Sequence, residues 1–196
     1  MPRCGPAARQ TGNAQAVILI GFMGAGKSSV GRAMSAQLGW AFTDLDDRIE
    51  SRERRKVAEI FRDAGDAGFR HAEHAALKDL LAELETGGEK IIALGGGAFV
   101  QKRNARLIEA AGIPSVFLDA APEELWERCR EQAERDGIDR PLMRDQEDFR
   151  RLYQIRFPQY SKAWFRQETS SKEIEQIAAE VIKVLSLGTG RRGKKK

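Results

Sequence analysis

Short uninterrupted apolar runs alternate along the chain with longer segments in which apolar residues recur every three or four positions. The runs at 17–20, 91–94 and 115–118 predict strands that are buried on both faces. Weaker runs predict further strands at 40–43 and 164–166. The segments between them predict helices at 27–38, 46–63, 69–85, 102–111, 149–157 and 172–185. The strongly charged segment at 131–148 has no apolar period and is interpreted as a mobile excursion.

This alternation of strands and helices predicts an α/β fold with three layers, in which helices cover both faces of a parallel sheet. Ligands of such a sheet bind at the carboxyl ends of its strands. Each glycine-rich or acidic motif described below follows a predicted strand. The functional site is therefore expected at that edge of the sheet.

The composition is typical of one soluble globular domain. The 196 residues are 41% hydrophobic and 32% charged, and no apolar run approaches the ~18–20 residues of a membrane span. We predict a single domain over 16–187, preceded by a disordered arm over 1–15 that lacks the apolar centre of a secretory signal. With only two cysteines in the chain, a cytoplasmic location is expected.

The net charge of +4 arises at the end of the chain. Five of the last six residues are basic, and removing these five charges from +4 leaves −1 for the remainder. A basic tail, here 188–196, can contact phosphate backbones. A solvated terminus is the simpler interpretation, so nucleic acid is not the expected partner.

The sequence GFMGAGKS at 21–28 fits the phosphate-binding pattern G-x-x-x-x-G-K-[ST]. Its glycines let backbone N–H groups turn toward phosphate oxygens, Lys27 neutralises the β- and γ-phosphates, and the Ser28 hydroxyl binds Mg²⁺. The loop follows a predicted strand and begins a predicted helix, whose N-terminus also favours an anion. The predicted ATP site comprises Gly24, Ala25, Gly26, Lys27, Ser28 and Ser29.

The phosphate-binding loop alone does not distinguish kinases from GTPases, motor ATPases or helicases. The chain is short for a motor and contains no Asn-Lys-x-Asp guanine-binding motif, which favours a small-molecule kinase. Mg²⁺ is the expected cofactor, with ATP as the co-substrate.

Three aspartates, Asp44, Asp46 and Asp47, follow the second predicted strand. Because alternate residues of an extended segment point the same way, Asp44 and Asp46 are expected to face one cleft. One carboxylate can anchor the water shell of Mg²⁺, and a second can accept the proton of an attacking hydroxyl. The alternative is that these residues cap a helix, which is the favoured interpretation of Asp47.

Gly95, Gly96 and Gly97 follow the third predicted strand, and we refer to them as the triple glycine. Three glycines allow a ligand to approach the backbone closely and to accept hydrogen bonds from its N–H groups. The alternative is a plain turn, which rarely needs three glycines.

Three arginines are candidates, although pattern alone does not select them from the 33 basic residues. Arg70 begins a helical segment and Arg156 lies near the end of another. Arg140 lies in the charged segment, where it could close over ATP and stabilise charge on the transferring phosphoryl group. His71 and His74, three residues apart, are interpreted as solvated helix surface because further metal ligands are lacking.

Taken in order, these motifs resemble the shikimate kinase family, whose fold is of the nucleoside-monophosphate-kinase type. The resemblance covers about residues 17–185. The combination of the acidic pair, Phe-Arg-x-x-Glu, the triple glycine and Arg-Pro-Leu is far more specific than the phosphate-binding loop. The matching segments are GFMGAGKSSVGR at 21–32, DLDDRIE at 44–50, EIF at 59–61, GDAGFRHAE at 65–73, LGGGA at 94–98, RPL at 140–142 and RFPQY at 156–160.

The resemblance implies transfer of the ATP γ-phosphoryl group to the 3-hydroxyl of shikimate. It implies a sheet of five parallel strands, a small substrate lobe near 46–75 and a mobile lid near 130–145. Asp46 would hold the acceptor hydroxyl and take its proton, with Lys27 and Arg140 also acting in catalysis.

The resemblance also implies which residues bind the two substrates. Arg70 and Arg156 would bind the shikimate carboxylate, which suits the planar fork of arginine. The backbone of the triple glycine would contact the same ligand. Arg128 would stack on adenine, Arg140 would reach ATP from the lid, and Asp44 would lie near the Mg²⁺ shell.

Two other functions stay open from the sequence. A kinase for a different hydroxy acid, such as gluconate, would use the same loop and also favour cationic residues at the acceptor. A non-catalytic nucleotide-dependent module that binds nucleic acid through the basic tail would show steep salt dependence. The expected partners are ATP and shikimate, without a membrane, and the expected state is a monomer.

Overall fold

The computed structural model describes residues 14–136 and 145–188, which form five strands and seven helices. The strands are β1 (Ala16–Ile20), β2 (Ala41–Asp44), β3 (Lys90–Ala93), β4 (Ser115–Asp119) and β5 (Phe165–Glu168). The helices are α1 (Lys27–Leu38), α2 (Leu45–Glu53), α3 (Val57–Glu85), α4 (Lys102–Ala110), α5 (Pro122–Asp136), α6 (Gln146–Tyr160) and α7 (Ile174–Val184).

The five strands form one parallel sheet in the order β2-β3-β1-β4-β5. Every residue of β1 and of β4 is buried. Because successive side chains of a strand point to opposite faces, complete burial means that both faces of the sheet are covered. The predicted α/β architecture with five parallel strands is confirmed.

The strand order brings three distant segments together at one edge of the sheet. The phosphate-binding loop follows β1, the triple glycine follows β3, and Asp44 ends β2. Since β3 lies between β1 and β2, the carboxyl ends of these three strands are neighbours. The edge predicted to carry the site is therefore the edge at which the candidate residues meet.

Two predicted helical segments differ from the observed helices. The segment 46–63 is divided between α2 and α3, because the chain turns at 54–56. The long helix α3 contains one non-helical residue, Gly65, with φ 65° and ψ −172°.

The interpretation of 131–148 as a mobile excursion is wrong at both ends of that segment. Helix α5 continues to Asp136 and α6 begins at Gln146. Helix α5 is supported by ion pairs between side chains one turn apart, such as Arg128 with Glu124 and Arg130 with Glu127. The helix also buries Leu125 and Cys129. The helical period was missed in the sequence because charged residues outnumber these two buried residues.

Several predicted features lie outside the described residues. These are most of the arm (1–13), the middle of the lid with Arg140 (137–144) and nearly all of the basic tail (189–196). Within the described ranges, no helix is both long enough and apolar enough to cross a membrane.

Asp119, at the carboxyl end of β4, connects the sheet to α6. Its buried carboxylate accepts hydrogen bonds from Tyr153 Oη at 2.7 Å and from Arg166 Nε at 2.8 Å. Burial and this bond to Asp119 raise the pKa of Tyr153, so its hydroxyl stays a donor. The contact fixes α6, which carries Arg156, against the sheet.

The end of α2 generates the first testable prediction. Its C-cap residue, Arg54, has a left-handed backbone with φ 53° and ψ 34°. A residue with a side chain pays roughly 1–2 kcal/mol for a left-handed backbone, and glycine avoids that strain. Glycine also gains freedom in the unfolded chain, which cancels about 0.5–1 kcal/mol of the stabilisation. Arg54→Gly should therefore raise the free energy of unfolding by about 0.5–1 kcal/mol, measured by urea denaturation.

The exposed neighbour Arg55, whose φ is not positive, supplies the matched control. Arg55→Gly should give no stabilisation. Equal effects of the two substitutions would contradict the assignment of strain to Arg54.

Candidate active site

The phosphate-binding loop joins β1 to α1, and α1 begins at Lys27. Gly26, the N-cap residue, offers no side chain to the first turn of the helix, so backbone N–H groups there remain available to an anion. Lys27 Nζ donates to the carbonyl of Phe22 at 3.0 Å, which holds the ammonium group over the loop. The Ser28 hydroxyl donates to Asp44 Oδ2 at 2.5 Å.

Asp44 and Asp46 face the same cleft, but not for the reason that the sequence suggested. They do not lie on one extended segment, because Asp44 ends β2 and Asp46 lies in the first turn of α2. Asp44 is the N-cap residue, and its Oδ1 accepts a hydrogen bond from the Asp46 N–H at 3.0 Å. The capping interpretation therefore holds for Asp44, whose functional role stays a prediction. It is wrong for Asp47, an exposed residue in the first turn of α2 that is not its N-cap.

The carboxylate of Asp46 is buried at the floor of the site. Its Oδ1 atom is inaccessible to solvent and accepts no hydrogen bond from the described residues. Burial, reinforced by the charge on Asp44 and opposed by Lys27, raises the pKa of Asp46 to about 6. This acid is therefore mainly ionised at neutral pH.

The triple glycine packs against two of the predicted site residues. A β-carbon on Gly95 would lie 2.7 Å from Asp46 Oδ1, and one on Gly97 would lie 2.7 Å from Arg70 Nη1. Both distances are shorter than side chains tolerate, so a β-carbon at either position would force the Asp46 carboxylate or the Arg70 guanidinium to shift. Gly96 has ordinary contacts, with Met23 N the nearest atom at 3.6 Å.

Arg70 is held by a buried acid on its own helix. Its Nη1 donates to Glu73 Oε1 at 2.9 Å, and the Glu73 side chain is only 1% exposed. Its Nε lies 3.2 Å from Asp66 Oδ1, but without the geometry of a hydrogen bond. Burial raises the pKa of Glu73, and the Arg70 guanidinium opposes that shift. The pair presents the remaining N–H groups of Arg70 beside Gly97.

Arg156 approaches the same turn from α6. Its Nη1 donates to the Gly96 carbonyl at 3.4 Å, and its guanidinium lies over the Phe22 ring, 5.5 Å from the centroid. The hydroxyl of buried Tyr160 also donates to the Gly96 carbonyl. Burial raises the pKa of Tyr160 to about 12, so this donor stays protonated. Arg70 and Arg156 thus flank one turn, although 86 residues separate them in sequence.

A cleft of about 520 Å³ extends from the triple glycine along the phosphate-binding loop toward α5 and α7. It is lined by every predicted ATP-site residue described here, together with Asp44, Asp46, Gly95 and Gly96. Gly97, Arg70 and Arg156 do not line the cleft. The two arginines contact the triple-glycine turn, which forms one of its walls.

Arg128 lies at the far end of this cleft. Its guanidinium donates to Thr169 Oγ1 at 3.2 Å and to the Thr169 carbonyl at 2.9 Å, and it pairs with Glu124 at 2.5 Å. These contacts hold the guanidinium plane at the turn after β5. Lys172, which also lines this end, pairs with Glu180 at 2.6 Å.

The family model described as shikimate kinase matches residues 23–186, which is most of the chain. The chain belongs to the shikimate kinase family.

Individual relatives agree with this assignment. A shikimate kinase of Cereibacter sphaeroides is 37% identical over 170 residues, covering 87% of this chain and 82% of the relative. The solved structure of a shikimate kinase from Acinetobacter baumannii in complex with shikimate has a TM-score of 0.78 and 29% identity. It covers 89% of this chain and 94% of that chain. Kinases of this family are ATP-dependent phosphotransferases that act on an alcohol group, and this chain is such an enzyme.

A gluconokinase from Sinorhizobium meliloti bears on the alternative acceptor. It has a TM-score of 0.55 and 18% identity, covering 91% of this chain and 94% of that chain. A likeness at this identity shows a shared fold only. It therefore gives no support to gluconate as the acceptor of this member of the shikimate kinase family.

Sequence reasoning missed four residues that surround Arg70 and the triple glycine. The matching motifs contain Glu73 and Tyr160 without assigning either a role, and no sequence pattern points to Asn104. His74 was interpreted as solvated surface, as exposed His71 is, but its Nδ1 lies 2.7 Å from Asn104 Oδ1. The signal that could have found Glu73 is its position three residues after Arg70, where helical side chains meet.

The raised pKa of Asp46 generates a stability prediction. A carboxyl whose pKa is raised on folding contributes stability in its protonated form, and that contribution is lost as the pH rises through about 6. Asp46→Asn removes the buried charge. It should therefore raise the free energy of unfolding at pH 8 by about 1–3 kcal/mol, measured by urea denaturation without nucleotide or divalent cation.

The pH dependence provides the internal control. The cost of the charge builds up between the unfolded pKa of 3.8 and the folded pKa of about 6, so at pH 5 the advantage of Asp46→Asn should be about half of its value at pH 8. A gain in stability that is the same at both pH values would contradict a buried charge as its cause.

Proposed function

We propose that this site transfers the γ-phosphoryl group of ATP to the 3-hydroxyl of shikimate, giving shikimate 3-phosphate and ADP. The observation that carries the proposal is the Asp46 carboxyl group, with its raised pKa, which lines the cleft between the phosphate-binding loop and the triple glycine. An acceptor hydroxyl at this carboxylate would lie beside the phosphate-binding loop. The two arginines on the far side of the same turn suit a carboxylate on that acceptor.

The nucleotide half of the proposed site is the loop with Lys27 and Ser28. Backbone N–H groups and the Lys27 ammonium would neutralise the phosphates, for which Lys27 would release the Phe22 carbonyl. Arg128 would support adenine from its position at Thr169. Arg140, outside the described residues, is proposed to approach the phosphoryl group from the lid.

The pair of Ser28 and Asp44 fits a magnesium ion. Mg²⁺ is usually held by one or two protein oxygens together with waters and phosphate oxygens, and a hydroxyl 2.5 Å from a carboxylate beside the phosphate-binding loop offers such a pair. We propose that Ser28 binds the ion and that Asp44 holds its water shell. Bound there, the ion would neutralise charge on the phosphates.

The acceptor half of the proposed site is formed by Asp46, Arg70 and Arg156. With a pKa near 6, Asp46 is ionised at pH 7–8 and is able to take the proton of the hydroxyl as the oxygen attacks phosphorus. Arg70 and Arg156 would bind the carboxylate and so fix the direction of attack. The triple glycine would supply backbone contacts to the same molecule.

Two further inferences rest on the sequence alone. A cytoplasmic location and a monomeric state stay predictions. A role in nucleic-acid binding would depend on the basic tail, which lies outside the described residues. The intact phosphate-binding loop and the buried Asp46 favour catalysis over such a role.

The proposed reaction is tested by coupled ADP release with ATP and Mg²⁺, comparing shikimate, gluconate and no acceptor. ADP release should depend on shikimate. Lys27→Ala should abolish it, and Asp46→Asn should lower kcat by about 10²–10⁴ because the hydroxyl loses its base.

Turnover with gluconate but not with shikimate would reject the proposed acceptor while keeping the kinase. Near-normal turnover of Asp46→Asn would reject the role of Asp46 as the base. The requirement for ionised Asp46 can be checked separately by a pH profile. Because protonation removes the base, kcat/KM for shikimate should fall as the pH drops below about 6.

The roles of the two arginines are tested by separating the two Michaelis constants. Arg70→Ala and Arg156→Ala should each raise KM for shikimate by about 10–100-fold, because each removes charge-assisted hydrogen bonds to a carboxylate. KM for ATP should change by less than about 3-fold, since neither side chain lines the cleft along the phosphate-binding loop.

The matched control is Arg151→Ala, an exposed arginine on the same helix as Arg156 whose ion pairs are on the protein surface. It should leave both constants unchanged. If Arg70→Ala and Arg156→Ala instead weaken ATP alone, the carboxylate-binding role is wrong.

A further inference from the structure

Behind the acceptor half of the site lies a buried amide, Asn104, in the first turn of α4. Its side chain is fully buried, and both its NH₂ group and its oxygen have hydrogen-bond partners. Asn104 Nδ2 donates to the Ala98 carbonyl at 3.1 Å and to Glu73 Oε2 at 3.4 Å. Its Oδ1 lies 2.7 Å from His74 Nδ1. A buried amide with three partners holds its surroundings in one arrangement.

The partners determine how this amide and the imidazole are oriented. The Ala98 carbonyl can only accept, so the NH₂ group of Asn104 must face it. The amide oxygen therefore faces His74, and His74 must carry a proton on Nδ1 to donate to it. His74 thus fixes the orientation of Asn104, rather than being a solvated helix residue.

Through Glu73, Asn104 acts on Arg70. The two oxygens of the buried Glu73 carboxylate are divided between the two neighbours, with Oε1 accepting from Arg70 and Oε2 from Asn104. Burial already raises the pKa of Glu73. Loss of the Asn104 donor would leave one carboxylate oxygen without its bond, which favours rotation or protonation and loosens the hold on Arg70.

Asn104 also holds the other surface that Arg70 contacts. Its bond to the Ala98 carbonyl lies at the end of the turn 95–98, which is closed by the hydrogen bond from Ala98 N to the Gly95 carbonyl at 3.0 Å. Gly97, in the middle of this turn, lies against the guanidinium of Arg70. One amide therefore connects both the acid and the backbone between which Arg70 is held.

We propose that Asn104, oriented by His74, is a positioning residue for the acceptor, because it fixes Glu73 and the turn 95–98 so that the Arg70 guanidinium is held in one orientation for a carboxylate. This inference rests on the proposed function in one respect, the binding of the acceptor carboxylate by Arg70. Asn104 itself would touch neither substrate.

The test compares Asn104→Leu with two variants of its partner, His74→Leu and His74→Asn. Asn104→Leu should raise KM for shikimate about 10-fold while KM for ATP stays within about 2-fold. His74→Leu should have a smaller effect in the same direction. His74→Asn should keep KM for shikimate at the wild-type value, because the amide N–H of asparagine takes the place of the His74 Nδ1–H.

Two further measurements separate positioning from general loss of stability. In an Arg70→Ala background, Asn104→Leu should change KM for shikimate by less than about 2-fold, because it acts through Arg70. The matched control is Ser115→Ala, which removes the part-buried hydrogen bond that the Trp164 backbone N–H donates to Ser115 Oγ at the amino end of β4. It should lower Tm without changing either Michaelis constant.

A readout that needs no acceptor distinguishes failure of this inference from failure of the proposed function. In ¹⁵N-labelled free enzyme, the side-chain N–H signal of Arg70, assigned with Arg70→Lys, should be sharp in the wild type and in His74→Asn. It should be broadened in Asn104→Leu and in His74→Leu. If shikimate is not a substrate but these signals behave as expected, the proposed function fails and the positioning role stands.

Three outcomes would overturn the inference. One is an effect of Asn104→Leu that is undiminished in the Arg70→Ala background. Another is a parallel rise in both Michaelis constants. The third is an Arg70 signal that is indifferent to both His74→Leu and Asn104→Leu. Should Asn104→Leu not fold, the half-buried His74 variants decide the question by the same two readouts.

Discussion

The pairing of β1 with β3 on one side and β4 on the other is the constraint on which the site depends. It places the phosphate-binding loop beside the triple glycine, and β2 then brings Asp44 to the same edge. Helix α2 begins at that edge, so its first turn delivers Asp46 to the floor of the cleft. Segments separated by more than 50 residues meet there because the carboxyl ends of parallel strands share one edge.

Burial determines how the charges at this edge can be used. The carboxyls of Asp46 and Glu73 are both buried, and burial raises the pKa of each. Arg70 opposes both shifts, so its positive charge is already shared by two acids. Arg156 differs, because within the described residues it forms no ion pair and contacts the Gly96 carbonyl, the Tyr160 hydroxyl and the Phe22 ring. The positive charge that favours an acidic acceptor therefore comes mainly from Arg156, while Arg70 contributes fixed geometry.

What the sequence predicted well was local. Apolar runs predicted the central strands, and the pattern at 21–28 predicted a loop between a strand and a helix, since both patterns depend on neighbouring residues. Pattern alone could not select Arg70 and Arg156, because each is identified by a contact with a turn distant in the chain. The same limit hid Asn104, a single amide whose partners come from α3 and from the turn after β3. The interpretation of α5 failed for a different reason, because surface charge masked its buried residues.

In the proposed function, the triple glycine would let this site discriminate among hydroxy acids. The Asp46 carboxylate lies against Gly95 and the Arg70 guanidinium lies against Gly97, each so close that a β-carbon there would force the side chain to shift. The two glycines therefore help to set the spacing between the proposed base and the proposed carboxylate ligand. An acceptor must match that spacing with its own hydroxyl and carboxylate to meet both groups. Flexible hydroxy acids would lose conformational freedom on doing so, whereas a ring that already holds the two groups apart would not.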